Sequence, residues 1–262
     1  MAAHLFGCFS LFFIGIQPGG ERVMRKCKVV SLVVVALLLS STGVVYGQGE
    51  VGSWGVGAFL DYNRSLFKMK DWFADGQGKV GVVFTYVVGP KVSVEVEYGR
   101  SRFTNGSLEE RTFTWGVDGK DYLSPGAVSQ MTLNNFLVNG IIRRTGAEVL
   151  RQGSYASYLT VGAGFYDYAT DVRNLIYPGQ KTAPLDQGLK LEPFSDTRTA
   201  LGVNAGLGVE GFVFNNMSVD LRLRYNVLLG ELRPMEAWGI NGQTFPMQFW
   251  NVRGGVRFYF TR

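Results

Sequence analysis

The chain has 262 residues, 14% of them aromatic and 18% charged, with 35 glycines, eight prolines and a formal net charge of +5. This composition excludes a disordered chain, and the length suits one or two domains, with all-β barrels often using this much chain as one. The only histidine, His4, and both cysteines, Cys8 and Cys27, lie within the first 47 residues. The remainder therefore cannot run Ser-His or Cys-His nucleophilic catalysis, and it lacks the usual zinc, copper and haem ligands.

The segment Met24–Gln48 reads as a secretory signal. Arg25, Lys26 and Lys28 form a basic start, Val29–Leu39 an apolar run of the right length, and Val45 and Gly47 a small-residue cleavage site. The competing reading is a transmembrane anchor, but the run is short and no stop-transfer flank follows. The expectation is that residues 1–47 are removed, that Met24 is the true start with 1–23 an upstream extension, and that 48–262 is the mature domain. Residues 1–47 hold four of the 26 basic and one of the 21 acidic side chains, which leaves only +2 beyond them. No nucleic-acid footprint follows from that balance. No phosphate loop or dinucleotide fingerprint appears in a strand–turn–helix context, so no cofactor is expected.

From Gln48 onward eight segments alternate with period two, as β-strands do, and no helical period competes. The first, Val51–Tyr62, puts Trp54, Val56, Ala58 and Leu60 on one face and Ser53, Gly55, Gly57, Phe59 and Asp61 on the other. The second is Lys79–Val88. The third, Val92–Ser101, alternates Val92, Val94, Val96 and Tyr98 with Ser93, Glu95, Glu97 and Gly99. In the fourth, Ser129–Arg143, the apolar face is Phe136, Val138, Gly140 and Ile142, which leaves Asn135 and Asn139 on the polar side. The fifth is Ser154–Tyr166 and the sixth Thr197–Phe212. The seventh, Ser218–Asn226, sets Val219, Leu221, Leu223 and Tyr225 against Asp220, Arg222 and Arg224. The eighth, Phe249–Phe260, sets Trp250, Val252, Val256, Phe258 and Phe260 against Asn251, Arg253, Gly255, Arg257 and Tyr259.

Long connections (63–78, 102–128, 169–196, 229–248) alternate with shorter ones (89–91, 145–153, 213–217), which is the loop asymmetry of transmembrane barrels. The strands are longer than those of soluble sheets. Outward aromatics cluster near both ends: Tyr62, Tyr98, Phe165, Tyr225 and Trp250 by the long loops, Tyr155, Phe258 and Phe260 by the short ones. The opposite face carries Gly, Asn, Ser and charge, which a dry core does not accept unpaired. These features predict an all-β, eight-stranded antiparallel up-and-down transmembrane β-barrel whose charged face is inside. An even strand count puts both mature termini on the periplasmic side. A soluble lipocalin-like barrel is the alternative with the same strand count.

The last strand, RGGVRFYF, places Arg253, Gly255, Phe258 and Phe260 in a pattern similar to the C-terminal β-signal that the barrel-assembly machinery of bacterial outer membranes reads, although Thr261 and Arg262 follow it. Taken over Gln48–Arg262, the chain resembles the small eight-stranded outer-membrane barrels, such as the transmembrane domain of outer-membrane protein A and the outer-membrane protein X group. That resemblance implies a bacterial outer-membrane location, contact with outer-membrane lipid and lipopolysaccharide, and no enzymatic activity.

An eight-stranded barrel is narrow enough to be filled by its own side chains. With the third strand across the barrel from the seventh, Glu95 and Glu97 face Arg222 and Arg224, and Glu210, Asp220, Arg253 and Arg257 join them. Gly162, Gly164, Gly202, Gly206 and Gly208 leave room on one wall for arginine side chains. Two roles remain open for this charge network: a structural plug, or a narrow small-solute channel in which pairs exchange. Loops 102–128 and 169–196 mix charge with Tyr, Trp, Phe and Pro, which suits a surface partner or adhesion-like contact as well as a solvated, variable surface.

Overall fold

The structure, a computed structural model, describes residues 51–144, 152–232 and 245–260, without the side chains of 74, 75, 77–79 and 105. The expected signal segment and upstream extension lie outside the described residues, as do most of the 145–153 turn and the final Thr261 and Arg262.

Eight strands close into one antiparallel barrel. In chain order they are β1 (Trp54–Ser65), β2 (Phe73–Val87), β3 (Val92–Gly106), β6 (Val128–Arg143), β7 (Tyr155–Arg173), β8 (Phe194–Phe214), β9 (Met217–Leu229) and β10 (Met247–Phe260). Between β3 and β6 a separate two-residue pair, β4 (Phe113–Thr114) and β5 (Asp121–Tyr122), forms a small hairpin. Each barrel strand pairs with its sequence neighbour, and β1 pairs with β10 from Trp54↔Phe260 to Ser65↔Phe249, so the sheet has no edge through this region. Closure removes the exposed edge strands that an open sheet would leave to solvent.

The period-two pattern sorts the side chains as the sequence predicts. On β9 the burial alternates strictly from Val219 to Arg224. Leu221 is 62% exposed on the outside while Arg222 is 0% exposed inside. Leu60, Val80, Val161, Leu207 and other outward aliphatics are exposed on every side of the barrel. A continuous apolar belt of this kind is far larger than soluble monomers present to water.

Several boundaries differ from the sequence reading. β1 begins at Trp54 and continues to Ser65, and β2 begins at Phe73, so the expected long connection 63–78 is only seven residues built around one helical turn, α1 (Phe67–Lys70). The ladder continues through this region, with the alternation of β1 unbroken to Ser65 and an extra residue accommodated on β2 before Val80. β3, β7 and β8 also run further than expected. Among the described residues the large loops are therefore 107–127 and 174–193, inside the predicted 102–128 and 169–196, while most of the expected long connection 229–248 lies outside the described residues.

Candidate functional site

The barrel interior is built in three tiers. β3 and β9 run from the short-turn end towards the long loops, on opposite walls. Their inward residues, Glu95 and Glu97 on β3 and Arg222 and Arg224 on β9, meet across the lumen. Arg222 donates to both oxygens of Glu95 at 2.7 and 2.9 Å, and Arg224 donates to both oxygens of Glu97 at 2.7 and 3.1 Å. The planar guanidinium presents two parallel N–H donors to one carboxylate, which lysine cannot do.

The other predicted residues join these two pairs. Arg253 reaches Glu97 at 2.6 Å and Arg257 reaches Glu95 at 2.9 Å. Arg257 also lies 3.2 Å from both Glu210 and Asp220. Asn135 and Asn139 donate amide hydrogens to Glu97 and Glu95. The Tyr259 hydroxyl and Ser218 donate to Glu210 at 2.6 and 2.7 Å. Tyr158 donates to Asp220 and accepts from Arg222.

Two charged members were not in the sequence-derived set. Asp61 on β1 accepts from Arg253 at 3.1 Å. Arg143 on β6 pairs with Glu210 at 2.9 Å. Face parity was the signal that finds them: Asp61 shares its face with Ser53 and Phe59, and Arg143 shares its face with Asn135 and Asn139. With them, the buried charges among the described residues are Asp61, Glu95, Glu97, Glu210 and Asp220 against Arg143, Arg222, Arg224, Arg253 and Arg257, a formally neutral set. Buried ions are tolerable only when paired in this way.

The space beside the lumen glycines is filled differently from the expectation of arginine alone. Tyr158 and Tyr166 on β7 pack against Gly208 and Gly202 on β8, Gly162 faces Asn139, Gly164 faces Leu137, and of these five glycines Gly206 alone meets an arginine stem, that of Arg224. Tyr158 stands directly opposite Gly208 in the β7–β8 register, while Tyr166 is paired with Ala200 and reaches diagonally to Gly202.

Above the ion pairs, towards the long loops, the interior becomes apolar. Phe73, Phe103, Met131, Leu133, Leu137, Leu228, Met247 and Phe249 pack with Trp72, Trp115, Leu175 and Ile176 from the connections. The two large loops are tied to each other: Ser124 accepts from the Ile176 amide at 2.7 Å, Asn174 donates to the Gly126 carbonyl at 3.2 Å, and the Trp115 indole N–H reaches the Gln180 carbonyl at 3.3 Å. Below the ion pairs Val87, Ala156, Phe212 and Tyr259 form a smaller apolar floor. In the exposed β4–β5 hairpin the Tyr122 hydroxyl donates to Asp118. That bond holds the Asp118 carboxyl below its ordinary pKa and pushes the Tyr122 phenol up.

The residues of the expected assembly signal divide between the two faces. Arg253 is in the ion network, and Gly255 faces Phe59 inside. Phe258 and Phe260 face outward, and Phe260 stacks on Trp54 across the β1–β10 closure with ring centroids 4.6 Å apart.

The molecule is thus a closed eight-stranded barrel with an apolar exterior and an ion-paired, capped interior. No family model matches the chain, and no curated protein matches it by sequence. Solved structures similar to it include Neisserial surface protein A (16% identity, 79% of this chain and 98% of that one, TM-score 0.46). Ail, the attachment invasion locus protein of Yersinia pestis, is similar at 13% identity over 80% of this chain and 100% of its own, with TM-score 0.44. The outer membrane protein OprG of Pseudomonas aeruginosa is similar at 12% identity over 84% of this chain and 100% of its own, with TM-score 0.43.

Proposed function

We propose that the protein is a non-enzymatic integral barrel of the bacterial outer membrane, closed through its lumen, that acts at the cell surface through loops 107–127 and 174–193. The observation that carries this reading is the neutral five-against-five ion network between an apolar cap and an apolar floor, inside a belt of exposed aliphatic side chains. Such a belt is satisfied by lipid, and strands of 12 to 21 residues are long enough to cross a bilayer when tilted. A lipocalin-like barrel would instead turn its apolar face inward at mid-barrel. Pairing of Trp54 with Phe260 sets the first and last strands' outer ends at the short-turn end, which supports a periplasmic placement of both. The position of Phe258 and Phe260 beside the closing seam supports a role in recognition by the barrel-assembly machinery.

The filled interior favours a plug over a small-solute channel. Planar-bilayer recording of the purified protein tests this: the expected result is no steady conductance, and a steady conductance altered by Glu97→Ala would overturn the plug. For the surface role, deletion of residues 108–125 is expected to abolish attachment of cells that depend on this protein while leaving the barrel folded. Unchanged attachment would remove the loops from that role.

A further inference from the structure

The outer wall of the barrel carries a charge pattern that is complementary to itself. We propose that the protein forms a symmetric dimer through the outward face of β6 and its two neighbours, with Arg100 and Arg102 of each copy facing the acidic side of the other; this rests on the outer-membrane reading above.

β6 lies between β3 and β7. The two registers set out the outward residues row by row. Arg100 on β3 stands beside Asn134 on β6, and Asn134 beside Asp167 on β7. One step further from the belt, Arg102 stands beside Thr132, and Thr132 beside Ala169. A step beyond that, Gln130 stands beside Asp171. Basic residues thus occupy β3 and acidic ones β7, with an uncharged column on β6 between them. Arg173 ends the β7 column beside Val128, above these rows. The next strand, β8, adds only Thr199, Thr197 and Ser195 to this face. Asp75 on β2 pairs in register with Thr104, on the side of β3 away from β6. Within the chain Arg102 donates to Gln130, and Thr199 donates to one oxygen of Asp167. Among the described residues none of Arg100, Arg102, Asp167 or Asp171 is held in an ion pair.

Two copies inserted in the same direction can meet symmetrically only about an axis along the membrane normal. A two-fold axis in front of β6 carries the β3 side of one copy onto the β7 side of the other. The arginines then meet the second copy's aspartates, and the aspartates its arginines, which is the reciprocity of a two-fold interface. Among the described side chains no other barrel strand is flanked by outward basic residues on one side and outward acidic ones on the other.

A second observation lies lower on the same column. β6 continues into the belt as Phe136, Val138, Gly140 and Ile142. A Cβ at Gly140 would meet only the Val161 carbonyl oxygen, at 3.7 Å. No packing inside the chain requires glycine there, and glycine in a strand interior weakens the strand unless another surface approaches closely. Small residues permit such an approach between membrane-embedded surfaces. Gly211 and Gly254 are open in the same way. Neither lies on a strand flanked by reciprocal charges, so the charges and the notch coincide on β6 alone.

The test uses the full chain in phospholipid vesicles at high lipid excess, with Cys8 and Cys27 replaced by serine. Asn134 lies beside the axis, so Asn134→Cys is oxidised with copper phenanthroline and the linked dimer is read on a denaturing gel. Gln248→Cys on β10, the strand diametrically opposite β6, is the control. Asn134→Cys is expected to link about tenfold faster than the control, and Asp167→Lys with Asp171→Lys to remove that advantage. Adding Arg100→Glu and Arg102→Glu to that variant exchanges the two charged columns and is expected to restore the linking. Linking no faster than the control, an undiminished rate in the lysine variant, or no restoration in the exchanged one would overturn the dimer. Each variant is first run unheated and heated on a gel. A chain without a heat-dependent shift fails the barrel reading, whereas a shifted chain that does not link fails the dimer alone.

Discussion

Glu95 shows how the interior works at the scale of one residue. It accepts from Arg222 through both oxygens, and Arg257 lies 2.9 Å away. Removing its charge leaves two buried guanidinium groups short of an anion, which costs about 3–5 kcal/mol. Glu95→Gln is therefore expected to lower unfolding stability in urea by that amount, while Glu95→Gln combined with Arg222→Met is expected to recover part of the loss. A cost under 1 kcal/mol for the single change would mean that the network is not what fixes the fold. A second residue-scale device is the fit of rings against glycines. A Cβ on Gly208 would overlap the Tyr158 ring, and one on Gly202 would sit 2.5 Å from Cε2 of Tyr166. Displacing a packed ring costs about 1–3 kcal/mol, so Gly202→Ala is expected to destabilise by that much, and a neutral result would contradict the packing. The pairing of Glu95 and Glu97 with Arg222 and Arg224 was legible because strand count and face parity together place β3 opposite β9. The contributions of Tyr158 and Tyr259 were not, since an inward tyrosine in an alternating strand gives no hint of which distant carboxylate its hydroxyl will reach.

At the scale of elements, the loops differ from the strands in how they are held. Ser124 joins the two large loops, accepting from the Ile176 amide and donating to the Asn174 carbonyl at 3.4 Å. Ser124→Ala leaves a buried amide unsatisfied, at about 1–3 kcal/mol. Faster hydrogen exchange over residues 174–193, with the barrel strands unchanged, is the expected result; uniform protection would show that the loops do not depend on this tie. In the β4–β5 hairpin, the Asp118–Tyr122 bond depresses one pKa and raises the other, so the contact persists through neutral pH. It is lost as pH falls through the lowered Asp118 pKa, and again as pH rises through the raised Tyr122 pKa. An NMR titration of the Asp118 carboxyl carbon is expected to show a midpoint below about 3.9, the ordinary aspartate value, and Tyr122→Phe to restore it. An ordinary midpoint in the wild type would contradict the contact. Strand number and order were readable from the sequence, but strand ends were less so. On β7 and β8 the apolar alternation stops at Phe165 and Leu201, beyond which Asp167 and Thr199 face outward while the ladder continues to Val172↔Phe194. The pattern thus marks where lipid ends, and the hydrogen bonds extend past it. On β1 the alternation runs unbroken to Ser65, and it is the extra residue on β2, at the register shift between Gly76 and Lys79, that makes a continuous ladder read as a loop.

At the scale of the whole molecule, the same alternation that in a soluble sheet would bury Leu221 and expose Arg222 is inverted. The inversion was decided in the sequence by the charge of one face and the length of the strands, and in the structure by Leu221 at 62% exposure beside Arg222 at 0%. It is consistent only with an apolar surrounding for the belt, because the interior spends its ion pairs on itself. The measurement that tests this most directly places single nitroxide labels at Leu60, Leu207 and Leu221, each changed to Cys in a background with Cys8 and Cys27 replaced by serine, in phospholipid vesicles. Collision with oxygen, which concentrates in hydrocarbon, is compared with collision with a water-soluble nickel chelate. All three sites are expected to be open to oxygen and closed to the chelate. Labels at these positions that meet the chelate as freely as a loop label at Val117 would show that the belt faces water, and would contradict the membrane barrel.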